Sequence, residues 1–371
     1  MIDRRLFIKI SSLLLAAPLF AKKSLAMQDL TFSSLHMPDE SDQHKRTWMA
    51  FVANDYIWSH KQIPEVKRNL ALIANTIAKY EPVSLLVSRK NLHEAEELLD
   101  IDNSNFKIEL HTFEVDDLWL RDTAPIFVRS TYGEKIALNF NFNGWGNKQE
   151  HSLDKQVARY IANTSGAIHE RANIVLEGGC FEVDGNGTAI MTESCILNKN
   201  RNPGWSKIDI EKELKALLGL RKIIWLKGIK GMDITDGHTD FYARFIKPGE
   251  VIVSRDNYQS SYDYEVTREN INTLSNSVDA NGNPLNLHVL DTPEIINERF
   301  GTKDFAAGYI GYYVCNGAII AQKFGDRNAD EKARAVLQSA FPNHIIEQIA
   351  IDGIASGGGS VHCSTQQEII V

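Results

Sequence analysis

Short apolar runs alternate along the chain with longer segments whose apolar residues recur every three to four positions, and the two rhythms predict a mixed α/β protein. Strands are predicted at Thr47–Val52, Val83–Val87, Ile126–Val128, Ile136–Phe142, Ile174–Leu176, Thr188–Met191, Ile223–Leu226, Phe241–Phe245, Val251–Ser254, Leu287–Leu290, Tyr309–Val314 and Ala318–Gln322. Helices are predicted near Glu65–Lys79, Asn91–Leu99, Ser152–Thr164, Ile208–Leu218, Tyr264–Ser275 and Asp330–Ala340. Asp184-Gly185-Asn186-Gly187 and Asp279-Ala280-Asn281-Gly282-Asn283 hold residues that tolerate positive φ, and they read as tight turns closing hairpins. Neither offers the spread of oxygen ligands of a calcium loop. No linker or low-complexity stretch interrupts the pattern, so residues 28–371 read as one domain.

Residues 1–27 are different text. Arg4-Arg5 precede an apolar run through Phe20, and Ser24-Leu25-Ala26 offer small residues before a cut. This is the pattern of a twin-arginine-type signal peptide, so an exported, periplasmic mature protein is expected, with no stable membrane insertion after cleavage. The alternative is an uncleaved anchor, for which the apolar core falls short of the roughly 20 residues that span a bilayer.

At 371 residues and 43% hydrophobic, the chain can bury a large core. Its net charge of -8, with no long basic run beyond the N-terminus, excludes a nucleic-acid footprint and suits a cationic partner better. Of the four cysteines, Cys180, Cys195 and Cys315 sit in apolar text and read as core residues; pairing of Cys180 with Cys195 after export stays open. With no C-x-x-C pair, and with His362 and Cys363 adjacent, no zinc site is expected. Gly185-Asn186-Gly187 lacks the strand-to-helix context of a nucleotide cradle.

The fourth cysteine is set apart. Gly357-Gly358-Gly359 lead to Cys363, the setting of a nucleophile on a loop whose backbone can approach a ligand closely. Three polar clusters stand in otherwise apolar text: Trp119-Leu120-Arg121-Asp122, Leu176-Glu177-Gly178-Gly179 and Asp236-Gly237-His238-Thr239-Asp240. In an extended segment Asp236, His238 and Asp240 would share one side, which fits acid/base work, metal ligation or a surface turn. Asp122 needs a partner if buried, either Arg121 or a substrate cation. A guanidinium is planar and offers paired N–H donors to carboxylates. Attack on its carbon needs a strong nucleophile, carboxylates that fix the cation and an acid to discharge ammonia.

Taken together, Met37-Pro38, Thr47-Trp48-Met49-Ala50, Asp117 to Asp122, Phe142-Asn143-Gly144-Trp145-Gly146, Leu176 to Gly179, Asn198 to Pro203, Asp236 to Asp240, Asn316-Gly317-Ala318, Phe324-Gly325-Asp326 and Gly357 to Gln367 resemble the agmatine deiminase family. That family lies within the guanidine-modifying pentein superfamily, which also holds the bacterial peptidylarginine deiminases. The resemblance implies a five-bladed α/β propeller of ββαβ units, with residues 28–371 as a single deiminase domain needing neither metal nor organic cofactor. It implies Cys363 as nucleophile through an amidino-cysteine intermediate, and His238 as the acid and then the base. Glu177 would orient His238, Asp122 and Asp240 would hold the guanidinium, and Trp119 would wall the pocket. The implied reaction is agmatine and water to N-carbamoylputrescine and ammonia. Deimination of peptidyl or free arginine to citrulline is the alternative, and a non-catalytic periplasmic cation-binding protein a third reading. The family commonly carries Trp and Pro where this chain has Ser41 and Gln43. If that segment closes the far end of the pocket, the distal end of the substrate is held differently.

Overall fold

The computed structural model describes residues 35–371, and the signal-peptide reading lies outside the described residues. One unit recurs along the chain: an antiparallel strand pair, a crossover helix, and a third strand parallel to the second. It is built from Ile126–Ser130, Lys135–Asn139, the helix Val157–Ser165 and Ile168–Arg171. It returns with Phe181–Val183, Thr188–Thr192, the helix Lys207–Leu218 and Lys222–Leu226. A third copy is Ala243–Lys247, Glu250–Arg255, the helix Asp263–Ser275 and Asn286–Asp291. A fourth is Tyr313–Cys315, Ala318–Gln322, the helix Arg327–Ala340 and Ile345–Ile349. The fifth joins the two ends of the described chain, because Gln366–Ile369 pairs antiparallel with His44–Phe51, which the helix Ile63–Ile77 links to the parallel strand Val83–Val87.

Sequence dictates these units locally. A parallel partner requires a crossover, and a strand covered on both faces reads as a continuous apolar run. All five residues of Val83–Val87 are buried accordingly. The helix Ile63–Ile77 buries Val66, Leu70, Ile73, Ala74 and Ile77, the spacing of a single stripe, against that sheet. Ser206 caps Lys207–Leu218 reciprocally with Asp209, and Gly219 ends it at φ 71°. The turn Asp184–Gly187 does close a hairpin, its Asp184 Oδ1 accepting the N–H groups of Asn186 and Thr188. The second turn closes an isolated bridge between Val278 and Pro284.

The strand expected at Ile174–Leu176 is absent. The third strand of its sheet is Ile168–Arg171, whose text is polar and half-exposed and so carries no apolar run. Strands at Ile108–Thr112, Phe181–Val183, Ile345–Ile349 and Gln366–Ile369 escape the apolar pattern as well. Phe241 and Tyr309–Gly311 belong to short 3-10 turns, with the strands starting at Ala243 and Tyr313.

Those turns position the site. A short helical turn precedes the first strand of every unit: Leu120–Thr123, Gly178–Cys180, Thr239–Phe241, Tyr309–Gly311 and His362–Ser364. The first turn packs against the last and the second, the second against the third, and the third against the fourth. Gly311 lies against Ser360, which brings the fourth turn to the loop of the fifth.

Candidate active site

Four of the five turns carry or adjoin the candidate residues. Asp122 lies in the first, Glu177 caps the second, His238 caps the third and Asp240 lies within it, and Cys363 is in the last. All are buried, with Cys363 retaining 8% of its surface. The glycine run before it approaches two indoles. A Cβ on Gly357 would stand 2.1 Å from the Trp58 ring, and one on Gly359 would stand 2.1 Å from the Trp119 ring. Trp58 and Trp119 lie 6.0 Å apart and form the wall on which the Cys363 loop rests. Trp119 therefore shapes the nucleophile's approach.

On one side stands His238. Its Nε2 faces Glu177 Oε2 at 3.2 Å, while its Nδ1 has only Asp122 Oδ1, 3.8 Å away. A Cβ on Gly179 would fall 2.4 Å from His238 Nδ1 and 3.1 Å from Asp240 Oδ2, so the bare backbone of Gly179 leaves both groups room. Arg201 Nε donates to both Glu177 oxygens at 2.9 Å. The same guanidinium reaches Asp236 Oδ2 at 2.8 Å. Asp236 has φ 64° and is turned toward Arg201, Lys148 and Asn200. The expectation that Asp236, His238 and Asp240 share one side is thus corrected: the left-handed step at Asp236 and Gly237 sends Asp236 behind the site, where it supports Arg201.

On the other side stands Asp240. Its Oδ2 pairs with His362 Nδ1 at 2.7 Å and lies 4.0 Å from Cys363 Sγ. Its Oδ1 is buried with no hydrogen-bond partner among the described residues. A buried carboxylate oxygen without a donor is costly, and a bound N–H group would relieve it. His362 Nε2 faces Glu40 Oε2 at 2.8 Å, and Glu40 also pairs with Arg121 at 3.0 Å and Arg244 at 2.8 Å. Arg121 therefore does not neutralise Asp122, whose oxygens accept from Trp145 Nε1 at 2.9 Å and Gly179 N at 3.1 Å. Ser41 and Gln43 are exposed; it is Glu40 through which this segment enters the site.

The electrostatics favour a cation. Burial and the Asp240 and Asp122 carboxylates push the Cys363 thiol up to about 12. A cation bound beside these carboxylates would pull the thiol back toward thiolate. Burial also raises the Asp122 carboxyl, against the pull of His238 and with the push of Glu177 and Asp240. For His238 burial works the other way, and the Asp122 carboxylate, Cys195 and Glu177 together outweigh it and raise the imidazole well above its ordinary value. Burial opposes ionisation of Glu177, but Arg201 and His238 hold it down at about 2.

Sequence reasoning missed His362, Glu40, Arg121, Arg244 and Arg201 as parts of the site. Adjacency to Cys363 was the one local signal for His362. It read Cys180 and Cys195 as core with their pairing open, and did not place them beside the site, yet Glu177, Cys180, Cys195 and His238 bring donor atoms within 4.8 Å of one another. That quartet already holds the Arg201 cation, and its donors hydrogen-bond among themselves, an arrangement unsuited to a divalent metal.

A buried thiol, an imidazole backed by a carboxylate, and a carboxylate oxygen with no donor fit a cysteine hydrolase acting on guanidino C–N bonds. The family model described as Porphyromonas-type peptidyl-arginine deiminase matches residues 36–368, and the chain belongs to that family. Agmatine deiminase of Ectopseudomonas mendocina is 35% identical over 355 residues, covering 90% of this chain and 95% of that protein. Agmatine deiminase of Medicago truncatula is 35% identical over 372 residues, covering 91% and 97%. Among solved structures, agmatine deiminase of Enterococcus faecalis has a TM-score of 0.83 at 29% identity, covering 92% of this chain and 96% of that one. The C. jejuni agmatine deiminase with substrate bound has a TM-score of 0.80 at 25% identity, covering 91% and 96%.

Proposed function

We propose that the protein hydrolyses agmatine to N-carbamoylputrescine and ammonia. The observation that carries this reading is the unpartnered Oδ1 of Asp240, buried beside Cys363 and on the same floor as His238. A guanidinium there gives Asp240 its missing donors and meets Asp122 on the second turn. Its positive charge lowers the Cys363 thiol, which releases its proton to solvent as the substrate binds and attacks the guanidinium carbon. His238 donates from Nδ1 to the departing nitrogen, which leaves as ammonia and leaves an amidino group on Sγ. The imidazole then takes a proton from water, the hydroxide adds to that carbon, and the C–S bond breaks to release the carbamoyl product and Cys363. Glu177 holds Nε2 throughout and fixes which nitrogen faces the substrate.

The printed name of the family model favours a second reading, deimination of peptidyl arginine. Against it stands the 8% exposure of Cys363 behind Trp58 and Trp119, which suits a small substrate. Ammonia release from agmatine, free arginine and an arginine peptide separates the readings. Turnover is expected on agmatine and its loss in Cys363→Ser; release from the peptide alone overturns the choice, as does an active Cys363→Ser.

The five ββαβ units and their touching turns further support a five-bladed propeller about the site, with residues 28–371 as one catalytic domain. Arg4-Arg5 and the apolar run after them support export to the periplasm, for which cell fractionation and N-terminal sequencing of the mature protein are the checks.

A further inference from the structure

Behind the His238–Glu177 pair lies chemistry that the proposed reaction does not use. Cys180 is the last residue of the second turn and Cys195 lies on the short helix Glu193–Ile196, and both are fully buried. Their sulfurs are 2.9 Å apart. That is well inside the separation of two unbonded sulfurs packed as core residues, and it places the thiols in register for a bond of about 2.05 Å. The Cys180 thiol also donates to Glu177 Oε2 at 3.0 Å, and Cys195 Sγ lies 3.6 Å from the same oxygen. This is the oxygen that faces His238 Nε2 at 3.2 Å.

We propose that Cys180 and Cys195 are a dithiol modification site, which a peroxide-class oxidant converts to a disulfide that weakens the acid/base pair in front of it. Full burial restricts the oxidant to a small molecule such as hydrogen peroxide. One thiolate attacks a peroxide oxygen, the O–O bond breaks, and the products are a sulfenic acid and water. The second thiol then displaces hydroxide from that sulfur; with its own proton this leaves as a second water. The two sulfurs together lose two electrons and two protons, and the peroxide is reduced to water. In the disulfide the S–H donor to Glu177 Oε2 is gone. That carboxylate then holds the His238 proton more tightly, so the imidazolium is slower to give its proton to the departing nitrogen.

The test has two arms. In Cys363→Ser protein treated with hydrogen peroxide, peptide mapping without reductant is expected to show a linked Cys180–Cys195 peptide that dithiothreitol removes. That arm needs no turnover and stands whatever the substrate is. The second arm rests on the deiminase reading: the wild type and Cys195→Ala are treated alike and assayed by ammonia release across pH. The oxidised wild type is expected to turn over roughly two- to tenfold slower, the worth of one weak S–H hydrogen bond, with its His238 limb moved to higher pH and restored by dithiothreitol. Cys195→Ala is expected to lack that component. Both cysteines remaining alkylatable after peroxide, equal losses in wild type and Cys195→Ala, or a stoichiometric metal ion held by the pair would each overturn the proposal.

Discussion

His238 and His362 are almost equally buried, each faces carboxylates, and each has buried arginine charge behind those carboxylates. They differ in which ring nitrogens are occupied. His362 has Asp240 at 2.7 Å on Nδ1 and Glu40 at 2.8 Å on Nε2, so both nitrogens are committed. His238 has Glu177 at 3.2 Å on Nε2 and nothing nearer than 3.8 Å among the carboxylates on Nδ1. A histidine can move a proton to substrate only through a nitrogen that the protein leaves free. In the proposed reaction His362 is thus a clamp that aims Asp240, and His238 is the acid and base. Nearness in sequence to the nucleophile would have favoured the wrong one.

Replacing each histidine is the sharpest way to break this contrast. His238→Ala is expected to lower kcat roughly 10²–10⁴-fold, the usual worth of a positioned acid/base. His362→Ala is expected to act first on stability. It leaves Asp240 and Glu40 with an empty space between two buried carboxylates, a loss of about 3–5 kcal/mol read by urea or thermal unfolding. Turnover per folded molecule should fall less than for His238→Ala. If His362→Ala unfolds like the wild type while losing as much kcat as His238→Ala, the assignment of clamp and catalyst is reversed.

The proposed catalytic residues were legible in the sequence as clusters and the clamp was not. Asp122, Glu177, His238, Asp240 and Cys363 each stand in a compact polar cluster, because each lies on or beside a tight turn entering the first strand of a unit. A turn of that kind is local, so its residues are contiguous text. The clamp joins residues that are remote along the chain. His362 and Glu40 are 322 positions apart and Arg121 and Glu40 are 81 apart, and no periodicity or spacing encodes such a pairing. The repeated unit was equally hidden, since the five copies share a hydrogen-bond register and crossover direction rather than side-chain text. Strand Gln366–Ile369 illustrates this: it is polar at three of four positions and is buried only because the other end of the described chain supplies its partner, His44–Phe51. Asp236 shows the opposite error. Alternation with His238 and Asp240 gave it a shared face that the positive φ at Asp236 and Gly237 removes.

The smallest expected effect concerns the arginine behind His238. The Glu177 carboxyl is held at about 2 against an ordinary 4.5, with burial opposing and Arg201 and His238 prevailing. A carboxyl depressed in the folded state binds its proton more weakly there than in the unfolded chain, so its contribution is present above the unfolded value and is lost as pH falls toward the folded one. The shift corresponds to about 3 kcal/mol. Unfolding of wild type and Glu177→Gln should therefore differ most at neutral pH, and the gap should narrow as pH drops from about 4.5 toward 2. Subtracting the variant cancels the other carboxylates that titrate in the same window. A gap that stays constant with pH would mean that Glu177 is held by shape and not by the Arg201 and His238 charges. The contrast between the two histidines would then lose its electrostatic half, leaving only the free nitrogen of His238 to distinguish them.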